Sequence, residues 1–239
     1  MLDETKGPPL RQTYFTPAVF KFLHELEDNN NRPWFEANKD RYIRTIREPA
    51  KEFIADFEPR LTAISDHFVA DTRTNGGSLM RPYRDTRFAR DKTPYKTNVG
   101  IQFRHDMGKD VHAPGFYLHI EPGDCWAGVG LWNPEAKIAR KIRDRIYEEP
   151  QAWKKAAWHK LFTDAWDAKP ADEELLKRIP REYEDPEFPL DVRRKSFVAS
   201  SKLTQKAVTS KSFDDDLAKL YNRAANYNQF LCESIGLPF

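Results

Sequence analysis

Positive charge is concentrated in one short part of this sequence, residues 81–96, which we call the basic segment. The basic segment holds six basic and two acidic residues, a net charge of +4, whereas the whole 239-residue chain carries only +2. Guanidinium groups bind phosphate and carboxylate groups through paired hydrogen bonds. The basic segment therefore predicts a site for an anionic ligand, with positive charge from Arg84, Arg87, Lys92 and Lys96.

A purely structural role for the same charges is an equally good interpretation. Arg84 or Arg87 can pair with Asp85, Asp91 or Glu121 and hold a loop in place. Internal ion-pair networks of this kind are common in folded proteins. The two roles are compatible, so both stay open at the level of the sequence.

Strand alternation groups a second set of reactive side chains. Successive residues of a strand point to opposite faces of a sheet. Between residues 115 and 121, Tyr117, His119 and Glu121 thus share one face, and apolar residues share the other. If the protein is an enzyme, we expect His119 or Glu121 to act as the catalytic general base, because neighbouring groups can tune either one toward neutral pH.

The next predicted strand alternates aromatic residues with glycine. One of its faces carries Trp126, Gly128, Gly130 and Trp132. A glycine within a strand often marks the close approach of a ligand or of another part of the chain. The pattern predicts either a ligand pocket with a polar floor and tryptophan walls, or a helix packed over the glycines.

Other chemistries have weaker support. His105, His112 and His119 are spaced by seven residues, but this spacing matches no established metal motif, so we assign no metal site. The chain contains neither a Gly-x-x-x-x-Gly-Lys loop nor a Gly-x-Ser-x-Gly elbow, and we assign no cofactor. Cys125 could act as a nucleophile near His119, although a lone cysteine on a strand is typical of a core residue.

The composition is that of a globular protein, with 39% hydrophobic and 32% charged residues. No apolar run approaches the length of a membrane span, and the N-terminus lacks the apolar segment of a secretory signal. Two cysteines do not form a disulfide framework. We therefore expect a cytoplasmic protein that has no membrane partner.

The elements that must position these groups follow from periodicity and turn signals. Residues 1–13 are expected to be a flexible tail, and residues 14–239 a single domain. Helical spacing predominates in residues 14–66, and short alternating strands predominate in residues 78–133, the first of them at residues 79–88. Residues 134–239 are predicted to be mainly helical, with a possible strand near 195–200 and one long final helix. Consecutive strands with short links indicate a meander, so the predicted fold is α+β, an antiparallel sheet of four to six strands packed by helices from both ends of the chain.

The chain also resembles a family of bacterial and fungal proteins known as domain of unknown function 2461. The resemblance covers nearly the whole chain and rests on the motifs Asn30-Asn31-Arg32-x-Trp34-Phe35, Asn38-Lys39-x-x-Tyr42, Tyr83-Arg84-Asp85-x-Arg87-Phe88-x-x-Asp91-Lys92-Thr93-Pro94-Tyr95-Lys96, Tyr117-x-His119-x-Glu121-Pro122-Gly123, Gly128-x-Gly130-Leu131-Trp132-x-Pro134 and Lys195-Ser196-Phe197. It implies that these segments belong together, and it implies no reaction, substrate or cofactor.

The leading hypothesis is a site on the sheet for a phosphorylated or carboxylated small molecule. A first alternative is a protein-interaction module in which the basic segment binds an acidic partner, such as residues 164–191 of another copy, a stretch of net charge −6. A second alternative is a nucleic-acid binder in which Tyr83, Phe88 and Tyr95 stack on bases. The near-neutral net charge of the chain makes the nucleic-acid binder the least favoured of the three.

Overall fold

A computed structural model describes residues 13–87, 89–108 and 113–239. Phe88, His112 and most of the expected N-terminal tail lie outside the described residues.

Helices precede the sheet. Helix α1 spans Pro17–Asp28 and begins at Thr16-Pro17, with the proline at the first helical position, where its missing N–H is not needed. It is followed by α2 (Arg32–Ala37) and α3 (Lys39–Tyr42). A π-helical turn, Ile43–Arg47, joins α3 to α4 (Glu48–Thr62).

Five strands form one antiparallel sheet in the order of the chain. They are β1 (Phe68–Val69), β2 (Val99–His105), β3 (Gly115–Ile120), β4 (Cys125–Leu131) and β5 (Phe197–Leu203). The predicted α+β class and the antiparallel meander are confirmed. The short strand β1 was missing from the prediction, because two residues carry too little alternation to be recognised.

Further helices lie between β4 and β5 and after β5. The first group is α5 (Ala136–Glu148), α6 (Pro150–Ala157) and α7 (Lys160–Thr163). The second is α8 (Gln205–Val208), α9 (Phe213–Arg223) and α10 (Ala225–Ser234). The single final helix of the prediction was wrong, since the chain leaves helical geometry at Ala224 between α9 and α10. None of the described helices has the length and apolar character that a membrane crossing needs.

The helices cover one face of the sheet with an aromatic core. Phe57 of α4 stacks on Phe103 of β2 at 5.1 Å between ring centroids, and Tyr221 of α9 lies 4.7 Å from the ring of Phe116 in β3. The Tyr221 hydroxyl also donates a hydrogen bond to the Tyr117 carbonyl oxygen at 2.8 Å. The buried core is one cluster that extends along the chain from Tyr14 to Cys232, and on this basis we propose that residues 14–239 form a single domain.

The strand predicted at residues 79–88 was wrong. Within the described part of this range, Leu79 forms an isolated bridge with Ile101, and Tyr83 forms another with Tyr95. Pro82 and Pro94 flank the second bridge, and neither has an N–H to donate. A continuous ladder is therefore interrupted, and the segment follows the sheet as irregular chain.

Asn30 connects the helical N-terminal part to the basic segment. Its side-chain amide donates to the Tyr95 carbonyl oxygen at 2.9 Å and accepts from the Tyr95 N–H at 3.0 Å. These are the hydrogen bonds that a neighbouring strand would supply. They fix the Tyr95 ring against Phe35, with 4.0 Å between the two centroids.

We expect Asn30→Ala to lower the free energy of unfolding by about 1–3 kcal/mol, because it leaves both backbone groups of Tyr95 without partners. Urea denaturation followed by circular dichroism measures the change. Asn29→Ala is the matched control, since the Asn29 side chain makes one local hydrogen bond, to the Glu25 carbonyl oxygen at the end of α1. Equal losses for the two variants would show that Asn30 has no bridging role.

Candidate functional site

The face of the sheet opposite the aromatic core carries a large cavity. We call this face the open face and the cavity the sheet cavity. The sheet cavity has a volume of about 690 Å³. Its lining residues come from the strands, from irregular chain and, at Glu174, from a short 3-10 helix, Asp172–Glu174. Within the described ranges no α-helix contributes to it. The two sequence interpretations of the glycines, a pocket or a packed helix, each apply to one of them. Gly128 faces a cavity, whereas a Cβ on Gly130 would lie 3.2 Å from the ring of Tyr227 in α10.

Strand register brings the predicted aromatic and glycine residues together here. Tyr117 pairs with Gly128, and the next pair on the same face is His119 with Trp126. The Tyr117 and Trp126 rings lie 5.1 Å apart between centroids. Tyr117, Trp126, Gly128, Gly130 and Trp132 all line the sheet cavity, and Trp132 is 69% exposed.

The two glycines of β4 are required for different reasons. A Cβ on Gly128 would lie 3.0 Å from the Trp126 ring, so this glycine makes room for the indole. Gly130 has φ of +108°, and a Cβ there would lie 2.0 Å from the Phe197 carbonyl oxygen. Gly130 therefore permits close approach of β5 to β4, whereas Gly128 shapes the floor of the sheet cavity.

His119 and Glu121 form a hydrogen-bonded pair that does not line the sheet cavity. His119 Nε2 lies 3.0 Å from Glu121 Oε2, and the other carboxylate oxygen of Glu121 accepts from the Thr97 hydroxyl at 2.6 Å. His119 Nδ1 lies 3.3 Å from the Asn98 amide nitrogen, which can only donate. The imidazole thus fits the tautomer that donates from Nε2 and accepts at Nδ1, and in this arrangement both ring nitrogens are engaged.

The His119 ring stacks on Trp126, with 5.0 Å between centroids and 11° between planes. His119, which is hydrogen-bonded to Glu121, therefore packs directly against Trp126, and Trp126 lines the sheet cavity. Burial raises the pKa of Tyr117 to about 12, so its phenol stays protonated and can donate a hydrogen bond.

Two clusters of described residues have a composition and spacing suitable for a metal ion. His119, Glu121 and Asp124 form one, and His67, His105 and Asp106 form the other, with the potential ligand atoms of each cluster within 4.8 Å of one another. His105 and His119 therefore belong to different clusters, and His112 lies outside the described residues. The three histidines spaced by seven do not converge on one site.

A buried arginine that sequence analysis missed forms part of the cavity wall. Arg194 is only 4% exposed and lines the sheet cavity. Its Nε donates to Asp191 Oδ1 at 2.6 Å, and Trp153 Nε1 donates to the other oxygen of Asp191 at 2.9 Å. The guanidinium is thus fixed by an ion pair that is itself enclosed by aromatic residues.

The two terminal nitrogens of Arg194 make no hydrogen bond to any described residue, and neither is fully enclosed. Arg194 lines the sheet cavity, and its positive charge also acts on the buried hydroxyl of Tyr227 in α10. In the sequence, Arg194 lies in a run of three basic residues, Arg193, Arg194 and Lys195. Such a run gives no indication of which member is buried.

The basic segment, by contrast, mainly pairs with itself. Arg84 forms an ion pair with Asp91, and Arg87 donates to Asp85 at 2.7 Å. Hydrogen bonds from these arginines lower the pKa of Asp85 and of Asp91 to about 2. Lys92 Nζ donates to a backbone carbonyl of the same segment, at residue 86, over 2.8 Å.

None of the four predicted anion-binding residues lines the sheet cavity; they are Arg84, Arg87, Lys92 and Lys96. Burial, followed by the charge of Arg81, lowers the pKa of Lys96. Tyr95 is 2% exposed and stacks on Phe35, so its ring is not available to a nucleic-acid base.

Comparison with known families gives one match. The family model described as a conserved hypothetical protein, DUF2461, matches residues 18–230, so the chain belongs to this family. No curated protein and no solved structure gives a significant match.

We expect Gly130→Ala to destabilise the fold by at least about 2 kcal/mol, because it combines a strained φ with a backbone clash. Gly123→Ala is the matched control: Gly123 also has a positive φ, of +79°, but a Cβ added there would meet no atom within 4 Å. Urea denaturation compares the two. A loss for Gly130→Ala no larger than that for Gly123→Ala would contradict the close approach of β5 to β4.

Both cysteines are expected to resist thiol reagents in the folded protein. Cys125 and Cys232 are buried, and burial raises the pKa of Cys125 and raises that of Cys232 to about 12. Labelling with a chromogenic disulfide at pH 8 should therefore be slow until denaturant is added. Lys160→Cys, at an exposed position, supplies the fast reference. Rapid native labelling of Cys125 would instead support its role as a nucleophile.

Proposed function

We propose that the protein binds a small aromatic molecule bearing a phosphate or carboxylate group in the sheet cavity. The observation that carries this proposal is Arg194. Arg194 is deeply buried and lines the cavity, its orientation is fixed by Asp191, and its terminal nitrogens make no hydrogen bond to a described residue. An arginine held in this way is preorganised to receive an anion with two oxygen atoms.

The aromatic part of the ligand is proposed from the walls of the sheet cavity. Trp126 and Tyr117 form part of the floor, and the exposed Trp132 lies along the lining. Pockets for small molecules are typically apolar and aromatic, with a few polar groups that fix orientation. A ligand with an aromatic ring against Trp126 and an anionic group at Arg194 would match both the aromatic and the polar parts of this lining.

Two lysines add positive charge to the cavity. Lys169 and Lys202 line it, and neither forms an ion pair with a described residue. Three carboxylates also line it, those of Asp124, Asp167 and Glu174. Because the charges of the lining balance, the anion is expected to be recognised by the fixed geometry of Arg194 and not by the general field of the cavity.

For His119 and Glu121 we propose a positioning role. Both are outside the lining, and both nitrogens of His119 are engaged in hydrogen-bond contacts. His119 of this pair stacks on the Trp126 ring. A packing role of this kind favours ligand binding over proton transfer as the function of the site.

The test is a thermal-shift and tryptophan-fluorescence screen of aromatic carboxylates and aromatic phosphates. A ligand that stabilises the wild-type protein should bind at least about tenfold more weakly to Arg194→Lys, which keeps the charge but loses the two-pronged contact. Lysine is preferred to methionine here, because Arg194→Met leaves Asp191 as an unpaired buried carboxylate at a cost of about 3–5 kcal/mol.

Ser200→Phe is the second variant. Ser200 is exposed on β5 and lines the sheet cavity, so a phenyl group there should obstruct part of the cavity and weaken binding without disturbing the core. Lys219→Gln, on the exposed surface of α9, is the control and should bind like the wild type. Ligands that bind Ser200→Phe and Arg194→Lys as tightly as the wild type would refute the proposal.

A further inference from the structure

We propose that a second, smaller cavity beside the π-helical turn binds a phosphate group. This cavity, which we call the basic pocket, has a volume of about 180 Å³ and lies between α3, the π-helical turn, α4 and residues 79–83. Of the residues that the structure describes, four cationic ones line it, and no aspartate or glutamate does. They are Lys39, Arg47, Lys51 and Arg81.

The helical part of the basic pocket places like charges on one side of the chain. Residues 39, 43, 47 and 51 follow one another at four-residue steps, and all line the pocket. Arg47 and Lys51 are thus like charges at the i,i+4 spacing, which destabilises a helix. A π-helical turn is itself uncommon and is often found at functional sites. A bound anion would offset the repulsion between these charges.

Only part of this charge is neutralised within the protein. Glu48 lies 2.9 Å from Arg47, and Glu36 lies 3.2 Å from Lys39, but neither glutamate lines the basic pocket. Lys51 donates to the Thr74 hydroxyl at 2.8 Å. Arg81 makes no side-chain hydrogen bond or ion pair within the described parts of the chain.

Neutral donors complete the pocket. Tyr42 lines it, and burial raises the pKa of its phenol to about 12, so the hydroxyl remains protonated. Thr74 and Asn75 supply further polar groups. A phosphate group carries close to two negative charges and three strong acceptor oxygens, and it matches a small pocket with several cations better than a single carboxylate does.

The basic pocket is a different site from the sheet cavity. Among the described residues, Met80 alone lines both. Arg81 belongs to the basic segment, but it is not among the four anion-binding residues predicted from the sequence. Burial lowers the pKa of Lys96, and the charge of Arg81 lowers it further.

Isothermal titration calorimetry with inorganic pyrophosphate, at low ionic strength, tests the proposal. The wild-type protein is expected to bind pyrophosphate, with an affinity that falls as sodium chloride is added. Arg81→Gln and Lys51→Gln should each bind about tenfold more weakly or worse, because each removes a charged hydrogen-bond donor. Arg81 is exposed, so folding should be unaffected, and circular dichroism verifies this.

Two further variants make the result specific. Arg44→Gln, in the same π-helical turn but outside the lining, should bind pyrophosphate like the wild type. Ser200→Phe, which obstructs the sheet cavity, should also leave pyrophosphate binding unchanged. Absence of binding to the wild type, equal weakening by Arg44→Gln and Arg81→Gln, or loss of binding in Ser200→Phe would each overturn the proposal.

Discussion

The organisation of this protein depends on the packing of its α-helices against a single face of a five-stranded sheet. Alternation in β3 directs Phe116 into the aromatic core and Tyr117 away from it. On the open face the cavity is lined by segments outside the α-helices, namely Met80, which hydrogen-bonds to β2 at Gly100, and residues between 167 and 174. Irregular segments cannot close over a sheet as evenly as a helix can, and the sheet cavity is the space that they leave.

The highest concentration of positive charge and the buried positive charge of Arg194 lie in different parts of the structure. The basic segment has the highest concentration of positive charge, but its arginines are largely engaged with Asp85 and Asp91 near the surface, where ion pairs add little to stability. Arg194 pairs with Asp191, both side chains are buried, and Asp191 also accepts a hydrogen bond from the Trp153 indole. Since a buried charge without a partner is costly, the Asp191 pair is what allows a permanently charged donor at the wall of an apolar cavity.

These differences explain how much could be predicted from the sequence. The meander and the shared face of Tyr117 and Trp126 follow from local alternation, which a single chain displays directly. The burial of Arg194 at the cavity wall does not, because it depends on Trp153 and on β4, which are distant from Arg194 in sequence. The strand predicted at residues 79–88 was wrong because alternation alone does not show which residues can pair. Pro82 and Pro94 prevent continuous pairing in this segment.

The bridge between Asp167 and Ser200 has a consequence for how the protein behaves at high concentration. Strand β5 is the last strand of the sheet, and its outward backbone groups could pair with the edge of another molecule. At Ser200 they are occupied instead, through two hydrogen bonds of 2.8 and 2.9 Å with the backbone of Asp167. The same residue lines the sheet cavity. The cavity wall therefore also protects the edge of the sheet at this position. A displacement of Asp167 would leave the backbone of Ser200 open to pairing with another molecule.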